Sequence, residues 1–337
     1  MNKVMVIMIV TLFLAGIITI AMPVKAQTTW TVDDDGPADF STIQDAVDAA
    51  DKDLGDTIHV YAGTYSESVN VVGFTSLTIK AQGAGHSDKS VKVNPTPTGS
   101  TNGFYVISDG VTIEGFEIAD TNFGIWFEGS NNKFSNNYIH DIASTVAWWD
   151  GGVGISLWDM NGGSNYNEIT NNVIENIERT GILFDIAWTD GGTGINTGNS
   201  IVNNIISGTP WGAIEVLNAE DTTINRNEIS ECGSWGIALL NAETGIESND
   251  NTIAHNNIQD STGDWGVGIL VYAWAGSAEE NNIHHNDISE ISGSYETGIW
   301  IIGNNNMIYH NSVDESTVSN PYVDSGTGNK DFKNSWD

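Results

Sequence analysis

Eight times along this chain an apolar residue is followed five positions later by Ile or Val, and in seven of the eight an asparagine stands third after the first residue. The copies are Phe134-Asn137-Ile139, Ile169-Asn172-Ile174, Ile201-Asn204-Ile206, Ile224-Asn227-Ile229, Ile253-Asn256-Ile258, Ile283-Asn286-Ile288 and Ile308-Asn311-Val313. An earlier copy, Ile113-Phe116-Ile118, has Phe in the asparagine slot. Successive copies start 21, 35, 32, 23, 29, 30 and 25 residues apart, which describes a unit of little more than twenty residues carrying insertions of varied length. Apolar residues two or three apart, dominated by Ile and punctuated by Gly and Asn, read as short strands and not helices. No unit this small buries its own apolar face, so the units must stack. Asn tolerates left-handed backbone, and amides stacked at ~4.8 Å can bond one another as a ladder. After each Asn turn comes a Gly-led apolar strand, as in Gly124-Ile125-Trp126-Phe127, Gly181-Ile182-Leu183-Phe184 and Gly298-Ile299-Trp300-Ile301. The expected fold is all-β: a single-domain right-handed parallel β-helix of roughly ten coils.

Residues 1–26 stand apart. Lys3 precedes an apolar stretch, and Val24-Lys25-Ala26 offers a small-residue cleavage site, the pattern of a secretory signal; an uncleaved anchor is the alternative. Residues 27–56 are expected to cap the solenoid with a short helix whose Ser41 and Gln44 have capping-box spacing. Residues 57–313 form the β-helix, and 314–337 a cap or tail. The single Cys232 falls in an apolar column with Ile142, Ile177 and Ile291, so it reads as core. A secreted or cell-surface protein without an internal disulfide draws its stability from stacking alone. Eleven Lys+Arg against 44 Asp+Glu give a formal net charge of −33, which argues against nucleic acid as a partner. No later segment is apolar enough to enter a membrane, and a monomer is expected.

The segment from Asp39 to Val71, with the Asn-Ile rungs behind it, resembles the pectate-lyase-like superfamily of right-handed β-helix proteins over nearly the whole chain. More narrowly, Trp158-Asp159 through Asn165-Tyr166 and Arg179-Thr180-Gly181 through Asp185 look like disaggregatase-related proteins of methanogenic archaea. The first resemblance implies activity on polysaccharide, though that superfamily also holds adhesins and a copper-delivery protein. The second implies an acidic, chondroitin-like extracellular matrix as substrate.

Insertions point to the site. The Asn turn is constant in length, whereas the loops flanking the Gly-led strands vary most at 143–153, 159–166 and 187–198. Alternation turns Ile125, Phe127, Ile155, Leu157, Ile182 and Phe184 inward and leaves Trp126, Glu128, Trp158, Asp185 and Glu215 outward. Asp185 and Glu215 on neighbouring rungs, expected to face solvent ~4.8 Å apart, have the makings of an acid pair for glycoside cleavage. Arg179, entering the Asp185 strand, can neutralise a uronate carboxylate, and the resemblance to pectate-lyase-like lyases implies a second role for it as a base. Trp126, Glu128, Trp158, Trp188 and Tyr272 are candidate sugar contacts. Trp211 and Trp235 read as loop anchors. Asp150, Asp159 and Asp190, carried on Gly-rich turns or beside them, offer hard oxygens, with calcium as the expected ion. His255, His285 and His310, each just before a ladder Asn, are an alternative copper or zinc set.

The favoured expectation is a secreted depolymerase, hydrolase or lyase, of an acidic extracellular polysaccharide. The alternatives are a non-catalytic glycan- or matrix-binding surface protein and a copper or zinc carrier.

Overall fold

The computed structural model describes residues 26–82, 91–95, 101–145, 151–159, 163–185, 194–241, 248–273 and 277–336. The signal-like segment therefore lies outside them, apart from Ala26. Three parallel sheets of 12, 11 and 10 strands wind round one interior. One coil runs from Lys133–Ser135 in sheet 1 through Tyr138–Ile142 in sheet 2 to Val153–Trp158 in sheet 3. The next coil stacks residue on like residue: Phe134 on Ile169, Ile139 on Ile174, Ile155 on Ile182. Inside, these side chains are withdrawn from water along the whole axis. Phe127 packs edge-on against Phe134 and Phe184, with ring centroids 4.8 and 6.2 Å apart. Cys232 lies in the core between Thr209 and Ser261, and burial raises its thiol pKa to about 11.

The corner between sheets 1 and 2 explains the repeat. Each ladder Asn donates Nδ2–H to the Oδ1 of the Asn one coil on, at 2.9–3.1 Å, from Asn137 through Asn172, Asn204, Asn227, Asn256, Asn286 and Asn311 to Asn334. The same Nδ2 also donates to the carbonyl of the first apolar residue one coil back, as Asn227 does to Ile201 at 3.0 Å. Each buried amide of this ladder is thus paired, which removes the penalty for burying it. The left-handed backbone belongs to the residue before the Asn, and not to the Asn itself as expected: Asn136, Asn171, Asn203, Arg226, His255, His285, His310 and Lys333 have φ between 55 and 58°.

A second ladder, absent from the sequence reading, lines the corner between sheets 3 and 1. Asn167 donates to Asn199, Asn251 to Asn281, Asn281 to Asn306 and Asn306 to Asn329, with Thr222 interrupting the file. Its residues stand two before the inward sheet 1 residue, which is apolar in every coil but the last, where it is Asp331, so the full repeat is Asn-x-Ile-x-x-Asn-x-Ile.

The Gly-led strands start with glycine because the coils approach closely. A Cβ on Gly154 would lie 2.6 Å from the Gly181 carbonyl oxygen and 2.8 Å from Ile174 Cγ2. Ala213 is the exception in this column, one coil after Gly181.

Both ends differ from expectation. The helix is Ile43–Ala49, capped by Thr42, which accepts from the Asp45 N–H at 3.2 Å. Glu67, from the following coil, accepts the Ile43 and Gln44 N–H groups at 2.8 and 2.9 Å, while the Gln44 side chain donates to Asp48. The Ser41–Gln44 box does not form, because a carboxylate brought from afar takes the free amides. Within 314–337, expected as a cap or tail, Asn320–Asp324, Lys330–Phe332 and Ser335–Trp336 add one further coil. Asp331 stands beside Ile308 where the earlier coils carry an apolar residue, so this coil lacks the apolar spacing of the others.

Candidate functional site

The outer face of sheet 3 is in register from coil to coil. Trp126, Ser156, Leu183, Glu215, Ala238, Leu270 and Trp300 form one outward file. Alongside it, Trp158 pairs with Asp185, and Leu217 with Leu240 and then Tyr272. The middle of this face is buried, and its apolar members form a cluster separate from the solenoid core. The ends are half-buried, at Trp126, Trp158, Tyr272 and Trp300.

Asp185 and Glu215 therefore project from the expected face but not into open solvent: they are 7% and 6% exposed. Nor are they side by side. Glu215 is level with Leu183, so Asp185 lies one coil back and two residues along, a diagonal of roughly 8 Å between Cα atoms. The pairing of Ile182 with Ile214 sets this offset, which spacing along the chain does not display.

Burial dominates the chemistry of Glu215 and raises its pKa to about 7. The Asp185 charge raises it further; the Arg179 guanidinium and the indoles of Trp211 and Trp235 pull it down. Trp211 donates Nε1–H to Glu215 Oε2 at 3.1 Å. Arg179 and Trp211 stand on adjacent coils, where the Arg179 carbonyl accepts the Trp211 N–H at 3.0 Å. Trp235, on the next coil, presses its indole against Gly212, where a Cβ would come within 2.3 Å of Nε1. Thus Trp211 and Trp235, expected only as loop anchors, belong to the acid's immediate surroundings. From there an aromatic file continues: Trp211–Trp235 at 5.4 Å, Trp235–Trp265 at 5.8 Å and Trp265–Tyr295 at 5.3 Å. Trp211 lying four residues before an acid on a strand of otherwise apolar residues was the available sequence signal.

Further along the face, partial burial and the Asp159 charge raise the pKa of Glu128. Trp126 stacks on Tyr105 with centroids 4.8 Å apart. Asp159 is buried and its Oδ2 accepts the Ser164 hydroxyl at 2.7 Å. Its partners in the expected calcium set, Asp150 and Asp190, lie outside the described residues, as does Trp188. Tyr272 sits two coils beyond Glu215, at the far end of the face.

The family described as right handed beta helix region matches residues 160–318. With its three parallel sheets, the chain is a right-handed parallel β-helix protein. No curated protein matches it. Among solved structures it is similar to DFA-IIIase from Arthrobacter chlorophenolicus (TM-score 0.63, 14% identity, covering 90% of this chain and 83% of that one). It is also similar to XylC in complex with xylose (0.61, 14%, 88% and 69%) and to lacto-N-biosidase from Eubacterium ramulus (0.50, 13%, 90% and 68%). At these identities the likeness is one of fold.

Proposed function

We propose that this chain is a secreted or cell-surface glycan-active enzyme that cleaves an acidic polysaccharide at the Glu215–Asp185 pair. The observation that carries this reading is Glu215: a buried carboxyl on a strand face, with its pKa near 7 and an indole N–H holding its oxygen. A general acid works best with a pKa near the operating pH. Glycosidic cleavage by hydrolysis needs one carboxyl that gives a proton and a second that stays charged. In this reading Glu215 protonates the leaving oxygen. Asp185 supplies the second carboxylate, as nucleophile or as base toward water. Arg179 receives a substrate carboxylate, which is the reason for favouring a uronate-containing polymer. Trp211 is a positioning residue, and half-buried Trp126 and Trp158 offer faces on which sugar rings stack. Xylose bound to XylC and the activity named for lacto-N-biosidase show similar scaffolds engaged with sugars.

The test is incubation of the purified protein with uronate-containing and neutral polymers. New reducing ends without ultraviolet absorbance fit hydrolysis; absorbing, unsaturated ends would replace the acid role by elimination, with Arg179 as a candidate base. Unchanged turnover in a double Asp185→Asn/Glu215→Gln variant would sink the site. The half-buried aromatics at both ends of the face favour one second reading, a binder that holds glycan without cutting it. Saturable binding with no product under any condition would establish that reading instead.

A further inference from the structure

Four of the chain's seven histidines meet at the corner between sheets 1 and 2, away from the outer face of sheet 3. His255, His285 and His310 occupy the left-handed position before Asn256, Asn286 and Asn311. Other coils fill that position with Asn136, Asn171, Asn203, Arg226 and Lys333, so the fold does not demand imidazole there. His284 closes the sheet 1 strand Asn282–His284, and its column holds Ser135, Thr170, Val202, Asn225 and Ala254 on the earlier coils.

The rings converge. One ring nitrogen from each of His255, His284 and His285 lies within 4.8 Å of the other two. His255 stacks on His285 with centroids 4.9 Å apart, and the Nδ1 atoms of His284 and His285 are 2.9 Å apart. On its other side, His285 Nε2 is 3.3 Å from His310 Nδ1. Tyr309 stacks on His284 at 4.8 Å and in turn on Phe332 at 5.3 Å, which holds the least exposed ring in place.

We propose that His255, His284 and His285 form a three-imidazole site for one divalent transition-metal ion, copper(II) in preference to zinc, with His310 as the outer partner of His285. The trio differs from the one apparent in sequence: His284 enters from the strand, and His310 moves to the outside. Neighbouring imidazoles on a tetragonal copper(II) ion at ~2.0 Å have nitrogens ~2.8 Å apart, close to the 2.9 Å between the Nδ1 atoms of His284 and His285. If His285 donates its Nε2–H to His310 Nδ1, its Nδ1 lone pair is left facing His284, the way an outer acceptor sets the tautomer of a ligand. Arg226 and Lys333, in the same column, are the cations flanking the cluster, while the net charge of −33 draws metal ions toward the molecule. An all-nitrogen set suits copper and zinc and not calcium, and copper stands above zinc in the affinity order.

The experiment is calorimetric titration of the full chain with copper(II), zinc and calcium salts in separate runs, with electron paramagnetic resonance of the copper form. One equivalent of copper should bind, with nitrogen couplings in the spectrum and a rise in thermal midpoint. A His255→Asn/His284→Ala/His285→Asn variant borrows residues that other coils carry in the same columns. It should bind copper at least ~100-fold more weakly and lose the rise; His310→Asn should weaken binding by about 10-fold. If circular dichroism shows the triple variant misfolded, His285→Asn alone carries the comparison. No copper bound by the native chain, a spectrum without nitrogen ligation, or equal affinity in the folded variant would each overturn the site.

Discussion

Glu215 makes a demand that can be measured in two ways. Its folded pKa of about 7 lies above the ordinary 4.5, so the folded chain holds this proton more tightly than the unfolded chain does. The resulting stability is fully present below pH 4.5 and is lost as pH rises through 7, by roughly 3 kcal/mol. Glu215→Gln should abolish that slope, leaving the variant more stable than the native chain at pH 8; urea unfolding at pH 5 and pH 8 checks it. The same variant should lose about 10²–10⁴-fold of any hydrolytic kcat. Trp211→Phe removes a donor that favours the carboxylate, so the Glu215 pKa should rise and the alkaline limb of kcat/KM should move to higher pH. A purely structural role for Trp211 would lower activity without moving that limb. Alternation along the strand showed on which side of the sheet these acids stand. It was silent about their burial, because cover over a sheet face comes from residues distant in sequence.

At the scale of a strand or a turn, most of the design was legible. The Asn-x-Ile rungs marked the corner between sheets 1 and 2 because a ladder asparagine cannot be exchanged without stranding its neighbours. Asn227 illustrates this: its Oδ1 accepts from the Asn204 backbone N–H and side-chain amide, both at 3.0 Å, and its Nδ2 serves Asn256 and Ile201. Asn227→Ala should cost about 3 kcal/mol, read from the denaturation midpoint with the m-value unchanged. The glycines that open the sheet 3 strands were visible as a motif, but their cause, the carbonyl of the next coil, appears only once the coils are stacked. Gly154→Ala should cost about 1–3 kcal/mol in thermal unfolding, tempered by whatever shift lets Ala213 sit in the same column. The second asparagine file stands a constant five residues before the first, across the sheet 1 strand, but Thr222 interrupts it and its amides meet only between stacked coils. The helix cap on Glu67 and the entry of His284 into the histidine cluster are likewise contacts between coils, invisible to local spacing.

For the whole molecule, charge is the term that spacing cannot supply but composition can. At −33 the surface repels a polyanionic substrate, and Arg179 supplies only local relief. Cleavage of a uronate polymer should therefore quicken as salt is raised from about 10 to 150 mM, as the screening length falls from roughly 30 to 8 Å. A neutral polymer of similar length should show no such rise, and a fall with salt for the acidic polymer would contradict this view of the surface.

The asparagine files also give the solenoid an electrical sense of direction. Every amide-to-amide bond in both files is donated toward the later coil, so these links add along the axis, while the second N–H of each amide turns back to a main-chain carbonyl of the coil before. The positive poles emerge together at the last coil, and there each file ends on an acid: Asn329 donates to Asp324 Oδ1 at 2.7 Å, and Asn334 to Asp331 Oδ1. The two aspartates stand to the ladders as acidic residues stand to the amino end of an α-helix, neutralising a pole built up along the whole row.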